Sequence, residues 1–103
     1  MARKKRNDNE YVTAFYGIHV DTHEVASAWL TRGGTLHYTS PKGIPSSHYI
    51  MPGRSAESEL LIVYGLSDLI QFPVGSMESE MVKKMIAELK AKAAERRAPS
   101  PQA

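Results

Sequence analysis

The 103-residue sequence contains no cysteine, which excludes disulfide bonds, thiolate metal sites and cysteine nucleophiles. It also lacks both the Gly-x-x-x-x-Gly-Lys phosphate loop and the Gly-x-Ser-x-Gly nucleophile elbow. The longest apolar run, residues 60–64, is too short to span a bilayer, so we expect no membrane partner. Because no motif fixes a reaction, we predict no catalytic residue, no metal ligand and no cofactor.

Positive charge is concentrated at the two ends of the chain. Residues 1–10 have a net charge of +2, residues 11–76 of −2 and residues 77–103 of +2. No apolar run follows the first basic residues, as a secretory signal would require, so we predict a cytoplasmic protein. Basic ends are typical of proteins that bind nucleic acid or an acidic partner, and also of solubilising tails.

Residues 11–20 form the clearest strand in the sequence. Val12, Ala14, Tyr16, Ile18 and Val20 are predicted to share one face, and Tyr11, Thr13, Phe15, Gly17 and His19 the other. Gly17 inside this strand indicates a bulge or a close backbone approach. His19 and His23 are four residues apart, but they do not lie on one helix, so this spacing does not indicate a metal site.

Residues 21–40 allow two interpretations. In the first, Asp21 caps a helix that Gly33 terminates. In the second, which we favour, residues 24–32 and 35–39 are strands joined by a Gly33-Gly34 turn. That register would place Trp29 opposite Tyr38.

Residues 41–55 are rich in proline, glycine and serine, and we predict a loop there. Residues 55–72 are strongly apolar and suit either a buried helix or a central strand. Ser55 is a plausible N-cap followed by two acidic residues, so we favour the helix. Gly65 weakens that interpretation by about 1 kcal/mol relative to alanine.

A C-terminal amphipathic helix is predicted over about residues 77–97, with Ser76 as its N-cap. Its apolar stripe lies at helical spacing up to Leu89. Beyond Leu89 the helix carries basic residues and no large apolar ones. We therefore expect a docked first half and a solvated, basic second half.

Together these elements predict one small α+β domain over residues 11–97, between disordered tails at residues 1–10 and 98–103. Its N-terminal antiparallel β-meander would be packed by a buried helical segment and the C-terminal helix. The methionine stripe of that helix is predicted to lie in the core or to bind a partner. If the domain does not cover the stripe, a homodimer through the helix would.

We predict a non-enzymatic regulatory or adaptor protein of a bacterium, phage or mobile element. Our first hypothesis is that it binds a protein partner, and our second is that it binds nucleic acid. The third is that it is a small enzyme or a metal-binding protein. For a protein interface we expect Met77, Met81, Met85, Leu89, Tyr49 and Met51. For nucleic acid or another acidic partner we expect Arg3, Lys4, Lys5, Arg6, Lys90, Lys92, Arg96 and Arg97. The aromatic side chains Tyr11, Phe15, Tyr38 and Tyr49 would stack on bases if they are exposed.

Overall fold

A computed structural model describes residues 8–98 of the chain. Within these residues an antiparallel five-stranded sheet, ordered β4-β3-β2-β1-β5, carries two α-helices. The elements are β1 (Tyr11–His19), β2 (Val25–Thr31), β3 (Thr35–Thr39), β4 (Pro45–Tyr49), α1 (Ala56–Ile62), β5 (Leu66–Pro73) and α2 (Glu80–Arg97). The predicted α+β fold with an N-terminal meander and a C-terminal helix is confirmed.

The central strand β1 has apolar residues on both faces because a helix packs on each side of the sheet. Phe15 belongs to the cluster that includes Leu60 of α1. Ala14 and Ile18, which point the other way, pack with Val82 and Leu89 of α2. The sheet is therefore the middle of three layers, and the alternation predicted for residues 13–19 is confirmed.

Gly17 is the point of close approach that the sequence indicates. A Cβ atom there would lie 2.8 Å from a methyl group of Leu69 and 3.1 Å from Cβ of Leu66. The β1–β5 register shifts between Tyr16 and Ile18, beside Asp68, whose φ is 55°. The missing side chain thus lets a bulged β5 pack closely against β1.

The hairpin interpretation of residues 21–40 is confirmed, because β2 and β3 pair antiparallel across the glycine turn. The predicted pairing of Trp29 with Tyr38 is wrong by one residue. Trp29 pairs with His37, and Ala28 pairs with Tyr38. Trp29 and Tyr38 consequently lie on opposite faces of the sheet.

The loop predicted over residues 41–55 contains an additional strand, β4, which pairs with β3. Its sequence, Pro-Ser-Ser-His-Tyr, has little of the apolar alternation that identifies strands. Its place at the edge of the sheet explains this composition, since proline and polar residues are tolerated there.

A single helix over residues 55–72 is also wrong, because the segment divides into α1 and β5. Ser55 does cap α1, since its hydroxyl accepts a hydrogen bond from the backbone N–H of Ser58 at 3.1 Å. Gly65 has a φ of 68°, which glycine adopts without a steric penalty. It permits the tight passage from the helix into β5.

The C-terminal helix begins later than predicted, at Glu80, after a short 3-10 turn at Val74–Ser76. Ser79, and not Ser76, caps it by accepting a hydrogen bond from the N–H of Val82. In the second half of α2, Ala93 is fully buried against the cluster of Ile18 and Leu89, whereas the other residues of 90–97 are exposed. This half is thus solvated and basic, as expected, but it also contacts the core through one small side chain.

Residues 1–7 and 99–103, where we predict disordered tails, lie outside the described residues. Residues 8–10 are part of the fold. The carbonyls of Asp8 and Glu10 accept hydrogen bonds from the N–H groups of Gly33 and Arg32. In the described part of the chain, neither helix combines the length and hydrophobicity that a membrane crossing requires.

Candidate macromolecule-binding surface

The face of the sheet that carries α2 is only partly covered. The helix lies over β5, β1 and the adjoining side of β2. Beyond it, an open groove of about 490 Å³ crosses β2, β3 and β4. The groove is lined by aromatic and small polar side chains together with one proline: Tyr11, Trp29, His37, Thr39, Pro45 and Ser47.

Tyr11 reaches this face because of a bulge at the start of β1. Tyr11 pairs with Thr31 and Thr13 pairs with Leu30, so β1 has one residue more than β2 between the two pairs. Such a bulge reverses the side to which the preceding residue points. Tyr11, which strict alternation places on the Phe15 face, therefore joins Trp29. The sequence carries no signal for this, because nothing in its residue types marks the bulge.

Three aromatic rings meet in the groove, and we call Tyr11, Trp29 and His37 the aromatic platform. The ring centroids of Tyr11 and His37 are 5.5 Å apart at 82°, and those of Tyr11 and Trp29 are 5.9 Å apart at 47°. Tyr11 is 45% exposed, while Trp29 also packs against the apolar cluster under the start of α2. The platform thus combines one ring held by core packing, Trp29, with one accessible ring, Tyr11.

The charges nearest the platform lie at the end of the sheet where the chain enters it. Arg32 forms an ion pair with Glu10 at 2.9 Å, and Asp8 is bonded to the backbone of Gly33. Residues 3–6, all basic in sequence, precede this anchored point.

The basic residues predicted on α2 are mostly engaged within the protein. Asp68 accepts a hydrogen bond from Arg96 at 2.7 Å and a second, longer one from Lys92 at 3.4 Å. Arg97 donates to the carbonyl of His23 at 2.8 Å, whereas Lys90 is exposed. The hydrogen bond from Arg96, assisted by Ser67 and the positive charges nearby, lowers the pKa of the Asp68 carboxyl. The predicted residues Arg3, Lys4, Lys5 and Arg6 lie outside the described residues.

The residues predicted for a protein interface are scattered among three environments. Leu89 is buried in the core, and Met77 and Met85 are half-buried beside the sheet. Exposed positions are taken by Met81, Tyr49 and Met51. Of the aromatic residues expected to stack, Phe15 and Tyr38 are buried, so they are unavailable to a ligand.

A polar cluster that sequence reasoning missed lies on the α1 face, between β4 and α1. His48 places Nε2 3.0 Å from a carboxylate oxygen of Glu59 and Nδ1 2.9 Å from the Tyr64 hydroxyl. Arg54 donates to the other oxygen of Glu59, and Ser46 lies 3.0 Å from the Tyr64 hydroxyl. We call this set the His48 cluster.

The His48 cluster is satisfied by its own members. In residues 8–98 every buried side-chain nitrogen or oxygen atom has a hydrogen-bond partner. The ring of Tyr64 stacks at 4.2 Å on the buried Tyr38, whose pKa is raised by burial and by the nearby Tyr64. The arrangement joins an edge strand to a helix, and its polar atoms bond to one another.

No group of three or more histidine, aspartate or glutamate side chains in residues 8–98 is placed to hold a metal ion. His19 instead accepts hydrogen bonds from the backbone N–H groups of Asp21 and Thr22 through Nδ1. No protein-family model, curated protein or solved structure matches the chain.

Proposed function

We propose that this protein binds single-stranded nucleic acid, with bases stacking on the aromatic platform and residues 3–6 contacting phosphates. One observation carries the proposal: the bulge in β1 brings Tyr11 to Trp29 and His37 on the open part of a sheet face. In this proposal the protein acts without catalysis, by binding a macromolecule in the cytoplasm.

Stacking is the interaction that this surface offers. A base presents a flat apolar face whatever its identity, and stacking on an aromatic side chain contributes about 1–3 kcal/mol per base. The platform has an exposed tyrosine beside two half-buried rings, and Ser47 and Thr39 add hydroxyl groups in the same groove. An open groove lined in this way favours unpaired bases, because the bases of a duplex are already stacked on each other.

Charge favours the same ligand. Asp8 and Glu10 are the two acidic residues just before β1, and Glu10 is neutralised by Arg32. Lys42 is exposed in the turn between β3 and β4, two strands that line the groove. Residues 3–6 add four positive charges that are tethered to the fold at Asp8. Phosphates would therefore meet positive charge at the margins of the groove.

The basic half of α2 has a smaller part in this proposal than in the sequence hypothesis. Arg96 and Lys92 are paired with Asp68, and Arg97 is bonded at the turn between β1 and β2. That turn is at the other end of β2 from Gly33, where Asp8 is bonded. Lys90 is the predicted α2 residue that is left to add a weak phosphate contact.

The protein contains one tryptophan, and it belongs to the platform, which gives a direct measurement. Titration with short single-stranded DNA or RNA of mixed sequence should quench Trp29 fluorescence and reach saturation. Plots of log binding constant against log salt concentration should fall with a slope of about −2 to −3, as expected for three or four phosphate contacts on a single strand. An unchanged emission at low ionic strength would disprove the proposal.

Two matched variant pairs separate stacking from charge. Tyr11→Ala should weaken binding by roughly five- to a hundredfold, while Tyr11→Phe, which keeps the ring, should stay near the wild type. Replacing Lys4 and Lys5 with alanine should flatten the salt slope by about 1.4. Alanine at the exposed helix residues Lys83 and Lys84 removes the same charge and should change that slope less. Equal effects of the two double variants would point to non-specific attraction.

A further inference from the structure

A further exposed aromatic ring, that of Tyr49, lies on the same face of the sheet as the aromatic platform. Tyr49 on β4 pairs with Thr35, which is two residues before His37 on β3. Paired residues, and residues two apart on one strand, point to the same side of a sheet, so Tyr49 and His37 share a face. His48 points to the opposite side, into the His48 cluster.

The turn between β2 and β3 supports the Tyr49 ring. A Cβ atom at Gly34 would lie 3.3 Å from Cε1 of Tyr49 and within 3.9 Å of Cδ1 and Cζ, so the ring packs directly against this glycine. The backbone that follows Tyr49 is fixed as well, because the N–H of Ile50 donates to the carbonyl of Gly34 at 2.9 Å. Tyr49 is nevertheless 56% exposed. Part of the ring is therefore held by the fold, and the rest is open to solvent.

The spacing between Tyr49 and the platform determines which nucleic-acid conformation fits. Tyr49 and His37 are diagonal neighbours on adjacent strands, and such residues are about 7–8 Å apart. Successive nucleotides in one strand of a duplex rise by about 3.4 Å. Two bases that lie one on Tyr49 and one on the platform are consequently not stacked on each other. This arrangement suits an extended single strand.

Tyr49 also lies at the end of the sheet where the chain enters the fold. The N–H of Gly33 donates to the carbonyl of Asp8 at 2.9 Å, next to the glycine that contacts the Tyr49 ring. Residues 3–6, the proposed phosphate contacts, precede Asp8 in the sequence. The positive charge is thus tethered beside Tyr49.

We infer that Tyr49 is a second base-stacking position, so that one strand of nucleic acid places one base on the platform and another on Tyr49. This inference rests on the proposed nucleic-acid binding and extends it to the size of the ligand. A single nucleotide can occupy only one of the two positions. The ligand class is therefore an oligonucleotide with at least two bases that are not stacked on each other.

Two probes that differ in their bases but not in their phosphates test the inference. Both are single-stranded hexanucleotides with abasic sites; one keeps two adjacent thymines, and the other keeps a single thymine. Their charge is the same, so a difference in affinity, measured by fluorescence anisotropy of the labelled probes, reports base stacking. The wild type should bind the two-thymine probe roughly five- to a hundredfold more tightly than the single-thymine probe.

Variants of Tyr49 separate stacking from packing on the turn. Tyr49→Ala should remove the preference for two thymines and leave the affinity for the single-thymine probe nearly unchanged. Tyr49→Phe keeps the ring and should behave like the wild type. Tyr49→Leu keeps an apolar side chain against Gly34 without a flat aromatic face, so it should behave like Tyr49→Ala. A Tyr49→Leu protein with the wild-type preference would overturn the inference.

The same measurements distinguish this inference from the proposal on which it rests. A wild type that binds neither probe nor mixed-sequence strands would disprove nucleic-acid binding, and the second stacking position with it. A wild type that binds mixed-sequence strands but does not distinguish the two probes would overturn the second position alone. Urea denaturation should give similar stabilities for Tyr49→Ala and the wild type, because the side chain is exposed.

Discussion

The two edge strands of the sheet are held by different kinds of interaction. β5 carries Leu66 and Phe72, both buried in the core on opposite faces. β4 has no fully buried residue and is joined to α1 through the His48 cluster. The comparison shows how a small domain of this kind completes its sheet: one edge is attached by apolar burial and the other by directed hydrogen bonds.

This difference has a consequence for cooperativity. Removing apolar contacts from β5 should destabilise the whole domain, since its side chains join both core layers. Removing hydrogen bonds from β4 should free that strand while most of the core remains, because local opening needs less free energy where little apolar surface is buried.

The largest expected effect follows from truncating β5. Phe72 packs with Ala14 and Val82 and stacks on Tyr16 at 5.9 Å. Phe72→Ala should lower the free energy of unfolding by about 3–5 kcal/mol, as measured by urea denaturation. Gln71→Ala, at the neighbouring exposed position, should stay within about 0.5 kcal/mol of the wild type. Similar values for both variants would mean that β5 does not belong to the core.

An intermediate effect is expected from breaking the His48 cluster. Glu59→Ala removes the buried carboxylate that bonds His48 and Arg54, at a cost of about 1–3 kcal/mol. Amide exchange should accelerate first in β4 and leave β5 little changed. Glu57→Ala removes an exposed carboxylate from the same helix turn, at about 0.3–1 kcal/mol, and should not affect β4 selectively. Equal acceleration of amide exchange in β4 and β5 would contradict the idea that β4 opens independently of the core.

The smallest effect concerns the ion pairs that connect β5 to α2. Because Arg96 holds the pKa of Asp68 below its usual 3.8, the carboxylate stabilises the fold above that value. The contribution is lost as the pH falls through the lowered pKa. Asp68→Asn, which tolerates the positive φ, should be less stable by about 0.2–1 kcal/mol at neutral pH. The difference in unfolding free energy between the variant and the wild type, measured by urea denaturation, should vanish in strong acid. A difference that persists there would show that the Asp68 carboxylate is not its cause.

Sequence reasoning recovered the parts of the fold that rest on apolar alternation and turn chemistry. The faces of β1, the hairpin at Gly33-Gly34 and the Ser55 cap all follow from local residue types. β4 was missed because its stability comes from bonds to Glu59 and Tyr64, which are distant in sequence. A pattern of apolar residues carries no record of such contacts.

Two further errors in the fold have one physical origin, which is backbone geometry at single residues. Gly65, at positive φ, turns one apolar segment into a helix followed by a strand. The bulge before Thr13 moves Tyr11 to the other face and so assembles the aromatic platform. In both cases tertiary packing selects a local conformation that the residue types allow but do not require.

The described chain enters and leaves the sheet at opposite ends of β2. Asp8 is bonded to Gly33 beyond the last residue of β2, and Arg97 is bonded to His23 before the first. Seven residues of strand separate these points by about 23 Å. Attachment to a sensor surface through the C-terminus should therefore leave the aromatic platform facing the solution, whereas attachment through the N-terminus would crowd it.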